Sequence, residues 1–182
     1  IGTRHSCVPI EWYLKEHSFA ERNALFIENV LNLLERAVLH CLTSADLAIE
    51  EVDALVVAST SGIAAPSLDA LLVERLEMRR TVQRLPIFGL GCAGGVIGLA
   101  RAGALARAMP GANIVFAVVE LCGLTFRFND RSKSNVIATA LFGDGAAAAV
   151  VNTEMKGPEL SAWGEHTWPD TLEIMGWRIE DD

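Results

Sequence analysis

The sequence predicts an α/β layered domain built on a mixed, mostly parallel sheet. Three observations carry that expectation. Short apolar runs rich in β-branched residues recur at 54–58, 85–88, 113–120 and 146–151, as strands buried on both faces require. Segments with helical spacing of apolar residues separate them, so strand and helix alternate along the chain. A long amphipathic pattern precedes the first strand and has the length to cover a sheet.

That first pattern runs over 19–42. Phe26, Val30, Leu33, Leu34, Ala37, Val38 and Cys41 recur at three- and four-residue intervals, with Glu28, Asn32, Glu35 and Arg36 between them. It predicts a helix with one apolar face. Residues 54–58 (Ala-Leu-Val-Val-Ala) form the first strand, followed by the polar turn Ser-Thr-Ser-Gly at 59–62. Pro66 and Ser67 open a second helix carrying Leu68, Leu71, Leu72 and Leu76. A strand at 85–88 ends in a tight turn at 89–91, and a helix of small residues covers 93–109 before Pro110 and Gly111 stop it. The clearest buried strand is 113–120. A polar loop at 129–133 leads to a short helix at 135–141, and the turn at 142–145 delivers the strand at 146–151. Two further strands are expected within 159–179, on either side of Trp168-Pro-Asp170.

Composition bounds the function. At 182 residues the chain suits one domain, long enough to bury about 70% of the surface its unfolded form exposes. Fifteen basic and twenty-three acidic residues leave a net charge of −8, which argues against a nucleic-acid or anionic-membrane surface. A hydrophobic content of 51% excludes disorder. The longest uncharged run, 85–100, contains five glycines and is too short to span a bilayer. The four cysteines, Cys7, Cys41, Cys92 and Cys122, show no metal-site spacing and no dense disulfide framework. Cys41, on the long helix, reads as a small buried hydrophobe. The N-terminus carries no basic-then-apolar leader, so a cytoplasmic protein with reduced thiols is expected. The first residue is Ile1 rather than Met, and the natural start is expected further upstream.

Gly89-Leu-Gly-Cys92-Ala-Gly-Gly95 concentrates the chemistry. It sets a thiol between a buried strand and a helix N-terminus, whose partial positive charge favours an anion. Glycines on both sides permit a sharp turn and close approach of a substrate. The free N–H groups of the helix start could hold a developing oxyanion, and ligands of open α/β sheets collect at this end of the strands. Two readings of Cys92 stay open on local chemistry: a nucleophile, or an ordinary buried cysteine beside packing glycines. A hydrolase with a nucleophile elbow would share the pattern.

Five segments together resemble one family. Gly-Cys-Ala-Gly-Gly at 91–95 resembles the active-site segment of the type III polyketide synthases, the chalcone and stilbene synthase family. Ser-Thr-Ser-Gly-Ile-Ala-Ala-Pro-Ser-Leu-Asp at 59–69 and Asn-Ile-Val-Phe-Ala-Val-Val-Glu at 113–120 resemble that family's loop before the second helix and its strand after the cysteine helix. Ala-Leu-Phe-Gly-Asp-Gly-Ala-Ala-Ala at 140–148 is similar to its Gly-Asp-Gly turn, and His-Thr-Trp-Pro-Asp at 166–170 resembles bacterial members.

The resemblance implies the N-terminal, cysteine-bearing half of a thiolase-like fold, layered α-β-α, over residues 1–182, with the second half lying beyond this chain. It implies that Cys92 accepts a starter acyl group from acyl-CoA and is extended by decarboxylative condensation with malonyl-CoA. No metal or permanently bound cofactor enters, coenzyme A being the carrier, and a homodimer is implied. Phe142 matches the gatekeeping aromatic between the coenzyme A tunnel and the reaction cavity. Thr60, Cys122 and Thr125 match positions lining that cavity, and Ala65 a position where plant members carry a larger residue reaching into the partner subunit. Gly143, Asp144 and Gly145 are read as turn geometry. The family's catalytic His and Asn belong to its second half, and His5, His17, His40 and His166 match neither. The 182-residue piece is therefore expected to be inactive in condensation by itself. A condensing enzyme of the ketoacyl-ACP synthase III type, a catalytically inactive dimerisation module and an unrelated cysteine hydrolase are the competing readings.

Overall fold

A computed structural model describes residues 2–177 and 179. Helix α1 (Phe19–Ser44) starts at a capping box: Ser18 Oγ accepts from Glu21 N–H at 3.2 Å, and the Glu21 carboxylate accepts from Ser18 N–H at 2.9 Å. Its buried stripe is Phe26, Val30, Leu34, Val38 and Leu42, one residue every four. Each such side chain contributes roughly 1.5–3 kcal/mol on leaving water.

The stripe packs on a four-stranded sheet of β1 (Val52–Ser59), β2 (Gln83–Phe88), β3 (Asn113–Leu121) and β4 (Asp144–Val151), ordered β2-β1-β3-β4. β1 runs parallel to both β2 and β3, while β4 is antiparallel to β3. The sheet is therefore mixed and mostly parallel, in agreement with the sequence. Pro86 is confined to an edge strand, where its missing N–H breaks no interior ladder.

Alternation along β1 divides the core in two. Leu55 and Val57 face α1 and α2 (Leu68–Arg75), together with Val115, Ala117, Val119 and Leu121 of β3. Ala54, Val56 and Ala58 face α3 (Gly94–Ala108) with Ile114 and Phe116. The α3 side is lined by small residues, Ala102 and Ala106 among them, so that helix lies close to the sheet. At Gly98 a Cβ would stand 2.4 Å from the Phe116 ring, leaving no room for a side chain. α4 (Lys133–Leu141) starts at Ser132, whose Oγ accepts from Asn135 N–H at 3.2 Å.

Two expectations are corrected. Among the described residues no strand forms in 159–177. A strand needs a ladder partner, and this segment is instead held by side chains of α3. The Arg107 guanidinium donates to Leu160 O at 3.0 Å and lies 4.4 Å from the Trp163 ring centroid, and Arg101 pairs with Glu165 at 2.6 Å. Cys41 is half-buried rather than fully buried, though burial still pushes its thiol pKa up. Among the described residues no helix is long and apolar enough to cross a membrane.

Candidate active site

The three parallel strands β2, β1 and β3 finish at one edge of the sheet, at Phe88, Ser59 and Leu121. Beyond β2 the chain turns through Gly89 (φ +83°) and Gly91 (φ +52°), both in the left-handed region that a side chain disfavours. The turn passes through a short 3-10 segment, Gly91–Ala93, directly into α3. Cys92 occupies the middle of that segment, exposed and unbridged. The thiol thus stands at the carboxyl edge of the parallel strands and at the entry to a fifteen-residue helix, as the sequence predicted.

A hydrogen-bonded bracket ties this turn to its neighbours. Gly91 N–H donates to Thr60 Oγ1 at 3.0 Å. Thr60 N–H donates to the Glu120 carboxylate at 2.9 and 3.2 Å, and Ser61 N–H to the same carboxylate at 2.8 Å. Leu121 N–H donates to Ser61 Oγ at 2.8 Å. Glu120 went unnoticed in the sequence. The signal was a carboxylate ending an otherwise apolar buried strand, where it must find donors.

A second set of bonds is organised by Asp144 at the start of β4. Its carboxylate accepts from Cys7 N–H and from Gly123 N–H, each at 2.7 Å, and its own N–H donates to His5 O at 2.9 Å. The Gly-Asp-Gly turn, read from sequence as local geometry, therefore also holds the N-terminal arm against the Cys122–Thr125 segment.

Between arm, segment and α4 lies a cavity of about 350 Å³ whose lining includes Cys122, Thr125, Phe142, Tyr13, Phe126 and Asn135. Three of the residues matched by resemblance, Phe142, Cys122 and Thr125, thus meet in one cavity. Thr125 Oγ donates to Cys122 O at 2.8 Å, bracing that wall. Burial, reinforced by the charges of Glu120 and Asp144, pushes the Cys122 thiol up to about 11. Thr60, Ala65 and Cys92 are not among the lining residues. Thr60 spends its hydroxyl on the Cys92 turn, and Ala65 lies exposed on the loop before α2.

The histidines are dispersed. His17 stacks on Trp12 with ring centroids 4.1 Å apart and donates from Nε2 to Trp12 O at 3.0 Å. His40 is exposed on α1, and His166 packs edge-on against Trp168. His5, on the N-terminal arm, lines the cavity. Among the described residues no group of three or more His, Cys, Asp or Glu side chains is placed to hold a metal ion.

Comparison with known proteins agrees with this geometry. The sequence model of the chalcone and stilbene synthases, N-terminal domain, matches residues 10–155. The 1,3,6,8-tetrahydroxynaphthalene synthase of Streptomyces peucetius subsp. caesius is 43% identical over 98% of this chain and 49% of its own length. The crystal structure of the Streptomyces coelicolor enzyme of the same name, described as a bacterial type III polyketide synthase, superposes with a TM-score of 0.87 at 31% identity, covering 92% of this chain and 49% of that one. A mutant of CsyB complexed with CoA-SH is similar at 26% identity and a TM-score of 0.74, over 81% of this chain and 42% of that one. The chain spans about half the length of the curated relatives it matches. With its thiolase-like α/β fold and its cysteine turn at the strand edge, the chain belongs to the chalcone and stilbene synthase family, the type III polyketide synthases.

Proposed function

We propose that this chain is the cysteine-bearing half of an acyltransferase that builds polyketides from coenzyme A thioesters, with Cys92 as the acyl acceptor. The observation that carries the reading is the position of Cys92, exposed on a glycine turn at the common edge of three parallel strands and at the start of α3. In the first step the Cys92 sulfur attacks the carbonyl carbon of a starter acyl-CoA. A carbon–sulfur bond forms to Cys92, coenzyme A leaves as its thiolate, and the proton lost by Cys92 ends on that leaving group. Malonyl-CoA then loses carbon dioxide, and the resulting enolate carbon attacks the Cys92 thioester. Cys92 is released and the chain, two carbons longer, is carried by coenzyme A. The oxyanion formed in each attack needs fixed donors; around Cys92 the N–H groups of Gly91, Ala93 and Gly94 are already given to Thr60 Oγ1, Leu90 O and Gly91 O.

Phe142, Cys122 and Thr125 would border the path of the thioester into the cavity, while Ala65, small and exposed, would leave the partner's cavity unobstructed in a homodimer. The CoA-SH held by the CsyB relative is consistent with such a path. The His and Asn needed for decarboxylation would come from the half that the relatives possess beyond this span. The 182 residues alone are accordingly expected to accept an acyl group without condensing it.

Incubating the full-length protein with a starter acyl-CoA and digesting it for mass spectrometry tests the reading. One acyl group on the peptide carrying Cys92, absent from Cys92→Ala, is the expected result. Acylation that persists in Cys92→Ala refutes it, as does condensation of malonyl-CoA by the isolated 182-residue chain.

A further inference from the structure

We infer that Glu120 and Thr60 are positioning residues for the nucleophile: together they fix the turn on which Cys92 is presented. The inference rests on the reading of Cys92 as the acyl acceptor and adds to it two residues that never touch the reacting atoms.

The turn has little to hold it in place by packing. Gly89 and Gly91 flank Leu90, and apart from its chain neighbours no heavy atom lies within 4 Å of where either glycine would carry a side chain. Leu90 is itself exposed. Two left-handed glycines on either side of one residue give this stretch more freedom than any other residue type would, so its geometry must be set by specific bonds. Beyond the local bond from Ala93 N–H to Leu90 O, the turn is reached from the β1 exit by Gly91 N–H donating to Thr60 Oγ1 at 3.0 Å, one residue before Cys92.

A threonine hydroxyl can set a position only if the threonine is fixed. Thr60 is the first residue past β1, in a loop with no ladder partner of its own. The Glu120 carboxylate fixes it by accepting from Thr60 N–H and Ser61 N–H with both oxygens, at 2.8–3.2 Å. Hydrogen bonds to an ionised carboxylate are roughly twice as strong as neutral ones. Ser61 then closes the loop back onto β3 through Leu121 N–H at 2.8 Å. Each parallel strand thus contributes one part: β3 the carboxylate, β1 the hydroxyl, β2 the turn that receives it. Acyl transfer needs the sulfur within about 3–3.5 Å of the carbonyl carbon on the correct line, and a displacement of about 1 Å can cost about a hundredfold in rate.

The test compares Thr60→Val, Thr60→Ser and Glu120→Gln in the full-length protein. Valine keeps the shape of threonine without the hydroxyl, and serine keeps the hydroxyl. Glutamine keeps one acceptor oxygen but turns an N–H donor towards an N–H. The readout is the single-turnover rate of acyl transfer from a starter acyl-CoA to Cys92, followed by quenching and mass spectrometry. Thr60→Val and Glu120→Gln are expected to slow transfer roughly 10- to 100-fold, with the half-saturating acyl-CoA concentration within about 3-fold of wild type, and Thr60→Ser to restore the rate to within about 3-fold. The double variant Thr60→Val/Glu120→Gln should be no slower than the slower single one, because both act through one bracket.

A wild-type rate in Thr60→Val overturns the inference. So does a loss in Thr60→Ser equal to that in Thr60→Val, which would mean packing and not the hydroxyl. If Glu120→Gln does not fold, the near-isosteric Thr60 pair still decides. If the wild-type protein takes up no acyl group, the nucleophile reading has failed. The rate constant of Cys92 alkylation by iodoacetamide then decides the bracket, an unchanged constant in Thr60→Val overturning it and a loss of about 3-fold or more that serine restores supporting it.

Discussion

Replacing Asp144 probes how the N-terminal arm is joined to the cavity. Its carboxylate receives two backbone N–H groups, from Cys7 and Gly123, each at 2.7 Å. Hydrogen bonds to a charged group contribute about 1.5–3 kcal/mol each, so losing both gives an upper range of about 3–6 kcal/mol. Asp144 is half-exposed, and water can reach the vacated donors, which places Asp144→Ala near the bottom of that range, about 3 kcal/mol. Asp144→Asn keeps one acceptor and turns an amide donor towards the other N–H, for a loss of about 2 kcal/mol. Equilibrium urea unfolding followed by tryptophan fluorescence measures both. At about 1–3 kcal/mol per molar, the alanine variant should unfold roughly 1–3 M earlier. The half-buried Cys7 thiol should also be alkylated faster once the arm is released. A midpoint within about 0.3 M of wild type for Asp144→Ala refutes the clamp. A lowered midpoint with unchanged Cys7 reactivity shows that Asp144 stabilises its own turn and not the arm.

Two pH dependences follow from the same chain. Burial and the nearby Asp144 charge push the Cys7 thiol up to about 12, and burial with the Glu120 charge pushes Cys122 up to about 11, both from an ordinary 9.0. The folded state thus holds these protons more tightly than the unfolded one, so their stabilisation is complete below pH 9 and declines as pH rises towards 11–12. Urea midpoints taken from pH 8 to 10.5 should fall, and Cys7→Ala should flatten that decline; an equally steep decline in the variant refutes the assignment. At the acid end, the Asn113 N–H bond at 2.9 Å and Arg79 at 2.7 Å hold the Asp53 carboxyl below its ordinary 3.8. A depressed carboxyl contributes stability above its unfolded value and loses it as pH falls through the folded one. Asp53→Asn should therefore lower stability at pH 7 and shrink the loss seen between pH 4 and lower values, and a variant whose acid limb matches wild type contradicts this.

Local pattern carried most of the fold. The stripe of α1 and the apolar runs of β1 and β3 are periodic signals that burial enforces residue by residue, and the structure keeps them within two residues. The segment 159–177 shows where such signals stop. Its β-branched and aromatic residues suit a strand, but pairing depends on a neighbour that no local pattern encodes, and Arg107 and Arg101 hold the segment on α3 instead. The site divides in the same way. Cys92 was legible because glycines, thiol and helix start are adjacent in sequence. Thr60 was assigned to the cavity wall by resemblance, whereas its hydroxyl lies against a turn 31 residues away. Such a contact depends on the parallel order of β2 beside β1, which follows from tertiary structure. Glu120 was hidden for the same reason: its donors, Thr60 and Ser61, are 60 and 59 residues distant.

The asymmetry of the two cores bears on why the nucleophile stands where it does. On the α1 face the sheet presents Leu55, Val57, Val115 and Val119 to a helix bearing Phe26, Leu34 and Leu42. That face buries the larger side chains, and by area it supplies most of the hydrophobic stabilisation. On the opposite face, Ala54, Ala58, Ala102 and Ala106 offer little area but allow α3 to approach so closely that Gly98 meets the Phe116 ring. Small residues at this contact cost stability relative to leucines, and the thick α1 core offsets that cost. A helix seated so near the sheet brings the 3-10 turn that leads into it within hydrogen-bonding reach of the loop that leaves β1. Larger residues would lift α3 and carry Gly91 away from Thr60. The small-residue pattern of 93–109, which in the sequence marked only a helix, is thus the condition under which a hydroxyl on one strand's exit can hold a thiol on the next.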